Sequence, residues 1–147
     1  MPSRRLQSLS DADYERTVPL FPSTLVYAKR IPRKGLGVFA RCEIAPDQEI
    51  ECVPVLVLPL IEARAAAAVG DVLGRYAFTW SDHEVAVALG FGSLYNHAVH
   101  ANAYYEDRAP RMKVFRARRL IRAAEEITIN YNGVAGSRKD VGFAILS

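Results

Sequence analysis

The chain has 147 residues, half of them hydrophobic, and carries 19 Lys and Arg against 16 Asp and Glu for a net charge of +3. A folded chain of this length buries about two thirds of the surface it exposes when extended, enough for one core without a metal or a disulfide. The apolar content excludes disorder and no apolar run approaches the roughly 20 residues that span a bilayer, so one soluble globular domain with no membrane partner is expected.

Residues 1–22 read as a polar N-terminal extension ended by Pro19 and Pro22, without the apolar core of an export signal. A hairpin is predicted from strands at 24–29 and 37–41 around a turn with Pro32 and Gly35. Ala45-Pro46-Asp47-Gln48 is a second turn. From Glu49 the chain alternates and then turns continuously apolar through 53–58, a buried strand that Pro54 places at an edge or bulge. The alanine-rich stretch 59–69, stopped by Gly70, is the one convincing helix. Beyond it Tyr76, Phe78 and Trp80 alternate with Ala77 and Thr79, placing three aromatics on one strand face, and a return at 81–84 leads into a strand at 85–89. Further strands are predicted at 103–107, 113–117 and 126–131. The expected architecture is mostly β with one short helix.

Two cysteines, Cys42 and Cys52, form no Cys-x-x-Cys pair, which argues against a zinc ribbon or a disulfide framework and suits reduced thiols in the cytoplasm. His83, His97 and His100 match no metal-ligand spacing, and no metal is expected. Ser93 lacks the Gly-x-Ser-x-Gly elbow of a serine nucleophile. Gly35-Leu36-Gly37 suits a backbone that approaches a ligand closely, and equally a plain hairpin glycine pair; without Gly-x-Gly-x-x-Gly and a following helix it is not a dinucleotide loop. Arg108, Arg111, Lys113, Arg116, Arg118, Arg119 and Arg122 form a basic stripe that could meet nucleic acid phosphates or an acidic peptide, or simply be a solvated hairpin face.

Three further segments are more specific: Gly35-Leu36-Gly37-Val38-Phe39-Ala40, Asn96-His97 with a later Asn102, and Glu126-Ile127-Thr128-Ile129-Asn130-Tyr131. In this order the chain resembles the SET-domain protein lysine methyltransferases over about residues 24–133, and Gly92-Ser93-Leu94-Tyr95-Asn96-His97 is similar to the compact, stand-alone members without zinc-binding flanks. The resemblance implies several small β-sheets with a C-terminal pseudoknot, a SET domain at 23–133, and a tail at 134–147 that closes the cofactor or substrate site, with Phe143 as a lid. It implies S-adenosylmethionine as cofactor, held by Lys34, Gly35, Leu36, Gly37, Asn96 and His97, and no metal. Tyr131 would stand beside the transferred methyl as the central catalytic residue, assisted by Tyr105 and Tyr76, while Tyr76, Phe78 and Tyr105 would line the substrate lysine channel. The implied reaction is methyl transfer to a lysine side chain of a protein substrate; the alternative is a non-catalytic SET-fold module binding protein or nucleic acid through the basic 108–122 hairpin. A homodimer also suits so compact a relative. The sequence departs from the family at Ala98, Ala101, Ile129 and Asn130, and no cysteines follow Tyr131.

Overall fold

The computed structural model describes residues 23–67, 73–134 and 136–139. The expected extension 1–22 and the candidate lid Phe143 lie outside the described residues. The predicted hairpin is present as Val26–Ile31 (β1) and Gly35–Ala40 (β2), antiparallel from the Val26–Ala40 pair to the Ile31–Gly35 pair. The 45–48 turn is present too, closed by Gln48 N donating to the Ala45 carbonyl at 3.1 Å.

The apolar strand runs Glu49–Pro59 (β3), and here the proline expectation needs correcting: β3 is the central strand of a five-stranded sheet, not an edge. The bulge falls between Glu49 and Glu51. Pro54 is tolerated because β3 changes partner beside it, pairing with Met112–Ala117 (β8) up to Pro54 and with Glu84–Ala88 (β5) from Val55 onward. Its carbonyl accepts from Leu89 N at 3.0 Å, so its donor-less nitrogen faces the side where the β5 ladder has already ended.

Leu60–Ala67 (α1) is the expected helix, starting one residue later because Pro59 closes β3; positions 68–70, including the expected stop, lie outside the described residues. Leu73–Tyr76 is a 3-10 turn and Ala77–Ser81 (β4) follows. Tyr76 therefore ends the turn rather than joining Phe78 and Trp80 on a strand face. A second 3-10 turn, Gly92–Leu94, leads to Asn96–His97 (β6), and Ala103–Arg108 (β7), β8 and Glu126–Ile129 (β9) complete the chain order. The last strand stops two residues before Tyr131 because Asn130 turns the chain, its carbonyl accepting from Gly133 N at 2.9 Å and its Oδ1 from Asn132 N at 3.0 Å.

Two sheets result, one in the order β1-β2-β9-β6 and one in the order β4-β5-β3-β8-β7. Their shared core includes Val38, Ile44, Tyr95, Phe115, Ile127 and Ile129, all essentially inaccessible to water. The segment around 96–103 is pinned to β9 by the buried Asn102 amide, which donates to the Glu126 carbonyl at 2.8 Å and accepts from Thr128 N at 2.9 Å. The chain then folds back over that segment, with Gly136 N donating to the Val99 carbonyl at 3.1 Å and Asn130 Nδ2 donating to the Ser137 carbonyl at 2.9 Å. Asn130, one of the departures from the family pattern, thus serves as the clasp of this crossing.

Candidate active site

Tyr131 is gripped at three points. Its backbone N–H donates to His97 Nδ1 at 3.0 Å, its hydroxyl donates to the Tyr95 carbonyl at 2.8 Å, and its own carbonyl accepts from the Tyr105 hydroxyl at 3.3 Å. The His97 and Tyr131 rings meet edge to face with centroids 5.2 Å apart. An acceptor at Nδ1 requires the neutral imidazole with its proton on Nε2, and burial, which lowers the His97 pKa, favours the same form. Burial, with smaller contributions from Tyr76 and Glu126, pushes the Tyr131 hydroxyl up to about 12. At neutral pH that group is a fixed, protonated hydroxyl rather than a base.

Behind it lies a second layer that no sequence motif singles out. The Tyr95 hydroxyl donates to Glu51 Oε1 at 2.9 Å, and Phe91 N donates to Oε2 at 3.4 Å. Burial outweighs these hydrogen bonds and raises the Glu51 carboxyl from 4.5 to about 7. The folded protein therefore holds a proton here that the unfolded chain has released. Its stabilising contribution is complete below about pH 4.5 and is lost as pH rises through about 7. Glu51→Gln is expected to remove this component, so that thermal melts of the variant and the parent between about pH 5 and about pH 7.5 differ in slope, the variant losing less stability as pH rises. Parallel Tm curves would count against it.

A cleft of about 210 Å³ opens beside Tyr131, lined among others by Arg75, Tyr76, Phe78, Ser93 and Tyr95. Ser93, rejected above as a nucleophile, has a mechanical part: its hydroxyl donates to the Tyr76 carbonyl at 2.8 Å and accepts from Ala88 N at 3.0 Å, tying the turn that carries Tyr76 to β5. Of the three predicted channel residues, Tyr76 and Phe78 border the cleft. Tyr105 stands behind Phe78, ring centroids 4.9 Å apart, and reaches the site through its hydroxyl on the Tyr131 carbonyl.

The glycine turn and the Asn-His pair meet because β2, β9 and β6 are neighbours in one sheet. Asn96 Nδ2 donates to the Leu36 carbonyl at 3.2 Å and to Glu126 Oε1 at 2.8 Å. That close approach explains Gly37, where a Cβ would fall 2.5 Å from Ile31 Cδ1, 3.0 Å from Glu126 Oε1 and 3.1 Å from Asn96 Nδ2. Gly35 differs: its φ of +89° suits glycine, and a Cβ there would meet nothing within 4 Å. Lys34 is half-buried and Leu36 exposed beside it. The strip thus presents open space at the Gly35 α-carbon, Asn96 Oδ1 as an acceptor and His97 Nε2–H as a donor. Among the described residues no group of three His, Cys, Asp or Glu side chains is placed to hold a metal ion.

The basic stripe is not a continuous charged face. Lys113 turns inward and is buried, paired with Asp107, while Arg108 and Arg116 both engage Glu49 and Arg119 engages Glu125 at 2.6 Å. Phe115 on the same strand is also fully buried and packs on Tyr95, Phe78 and Tyr105. Glu51 and Phe115 are supporting residues that sequence reasoning missed, while Lys113 reads there only as part of the basic stripe and Glu126 only as part of the last motif segment. Charges embedded in the apolar alternation of 49–58 and 112–117 were the available signal.

Comparison with known proteins follows the same lines. A family model for the SET domain matches residues 35–132. A curated Schizosaccharomyces pombe protein named histone-lysine N-methyltransferase, H3 lysine-37 specific, is 36% identical over 100 residues, 67% of this chain and 67% of that protein. A Plasmodium falciparum crystal structure, described as a candidate histone methyltransferase, superposes with a TM-score of 0.61 at 25% identity, covering 76% of this chain and 95% of that one.

Proposed function

The chain belongs to the SET-domain family, and from this premise we propose that it transfers a methyl group from S-adenosylmethionine to the side-chain amine of a lysine in a protein substrate. The observation that carries the proposal is the three-point hold on Tyr131 where the aromatic cleft meets the strip formed by 34–37 and 96–97.

The strip fits the cofactor on the chemistry of its donor set. The space at the Gly35 α-carbon is open, Gly37 permits close strand approach, and Asn96 Oδ1 and His97 Nε2–H offer one acceptor and one donor to a zwitterionic, purine-bearing ligand. When bound, the cofactor supplies a methyl group on a sulfonium centre. The rest is the work of this chain's residues. A free lysine has a pKa near 10.4, so only roughly 0.1% is neutral at pH 7.4, a deficit of about 4 kcal/mol. Tyr76, Phe78, Tyr95 and Tyr131 line the cleft with aromatic surface, which strips water from an entering side chain and so disfavours its ammonium form. The same ring faces accept a cationic product by cation–π attraction. Tyr131, held protonated, aligns the amine rather than deprotonating it.

Both named relatives bear histone methyltransferase descriptions, so histone-type basic proteins are the first substrates to try. Titration calorimetry with S-adenosylmethionine should show binding heat, and incubation with the labelled cofactor should place label on lysine as read by mass spectrometry. Absence of both heat and label would refute the proposal.

A further inference from the structure

Lys113 is a lysine buried by the protein's own aromatic residues. Its Nζ lies 4.6 Å from the Phe78 ring centroid, 4.5 Å from that of Tyr105 and 5.7 Å from that of Trp80, and it forms an ion pair with Asp107 directly across the β7–β8 ladder. Only about 1% of the side chain is exposed, while Asp107 remains half-exposed. Two of the three rings belong to the candidate site. Phe78 lines the cleft, and Tyr105 donates its hydroxyl to the Tyr131 carbonyl. We infer that Lys113 is a positioning residue for the lysine channel, its ammonium locking the Phe78 and Tyr105 rings in place and standing as a fixed positive charge behind the channel wall that disfavours a second cation inside it.

This deepens the proposed function and rests on it. A positive charge near a titrating amine lowers its pKa, and a nearby negative charge raises it. The groups around Lys113 set the balance: Asp107 and Tyr105 on β7, the uncharged Phe78 and Trp80 on β4, and Val53 opposite it on β3. Glu51, two residues along β3, is turned to Tyr95 and Phe91, and Arg75 stands at the cleft. Lys113 is thus the cation seated against the Phe78 and Tyr105 rings, and Asp107 is its partial counterweight. The aromatic faces add cation–π attraction that keeps the ammonium seated when that counterweight is removed.

The two members of the pair therefore act on the reaction with opposite signs. Lys113→Met removes the positive charge but keeps the length, so the bound substrate lysine loses its proton less readily. The rising limb of the kcat–pH profile, which reports groups in the enzyme–substrate complex, should move to higher pH by about half a unit, or about threefold lower kcat at a fixed pH on that limb. Asp107→Asn leaves the ammonium uncompensated and should move the limb to lower pH by a similar amount. Lys113→Arg keeps the charge and should leave the limb near its parental position. A merely structural role would lower activity in each variant without moving the two midpoints apart.

Trp80, the only tryptophan in the chain, sits beside the ammonium, so its fluorescence and thermal melt check that each variant is folded. If Lys113→Met does not fold, Asp107→Asn decides by itself. A downward shift supports the inference, and no shift or an upward one overturns it. Unmoved midpoints, or midpoints moving together, in variants of an active parent overturn the role of Lys113 and leave the methyltransferase reading standing. An inactive parent that also gives no cofactor heat overturns both.

Discussion

Tyr131→Phe is expected to lower kcat about a hundredfold or more while leaving cofactor binding heat and thermal stability close to those of the parent. The variant removes only the hydroxyl that donates to the Tyr95 carbonyl. The bonds to His97 and from Tyr105 use the backbone of residue 131 and survive. An aligned hydrogen-bonding group at a reacting centre is commonly worth between about a hundredfold and a thousandfold in rate, because orientation is fixed before the reaction begins. Labelled methyl transfer in parallel with calorimetry separates the two effects. Equal transfer by parent and variant would remove Tyr131 from the reaction.

The second large effect is on stability. Phe115→Ala should cost about 3–5 kcal/mol, the range for emptying an aromatic site in a packed core, and lower Tm by about 10–20 °C. Phe115 is wholly buried, its ring 4.7 Å from that of Tyr95 and 6.2 Å from those of Phe78 and Tyr105. It is the common backing of the cleft wall and of the residue whose carbonyl receives the Tyr131 hydroxyl. The surviving folded fraction should therefore also lose transfer activity beyond what the unfolded fraction explains. Denaturant titration gives the first quantity, and activity per folded molecule the second.

The sequence displays the local parts of this molecule and hides the parts set by register. The β1–β2 hairpin and the 45–48 turn are legible because proline, glycine and aspartate dictate their backbone directly. Asn96, His97 and Tyr131 are legible as a motif, and the structure bonds His97 to the Tyr131 backbone and Asn96 to Leu36 and Glu126. Pro54 misleads because its tolerance depends on which neighbour pairs with which half of β3. Tyr76 misleads because its alternation with Phe78 crosses from a 3-10 turn into a strand. Lys113 reads as one member of a basic run until the β7–β8 ladder sets Asp107 opposite it and β4 closes over it. Glu51 is similar: nothing near it in the chain announces that Tyr95 and Phe91 will enclose it.

The pairing of β2 with β9, Val38 against Ile127 and Phe39 against Glu126, joins segments roughly ninety residues apart. During synthesis at about 5–20 residues per second, the glycine-bearing strand waits on the order of 5–20 seconds for its partner. Throughout that interval β1 can protect one of its edges, and the other offers unpaired backbone groups to any strand that passes. Folding of this enzyme is therefore most exposed to mispairing and aggregation while it is still on the ribosome. A chain halted between residues 40 and 126 would display the glycine-bearing strand without the strand that completes it.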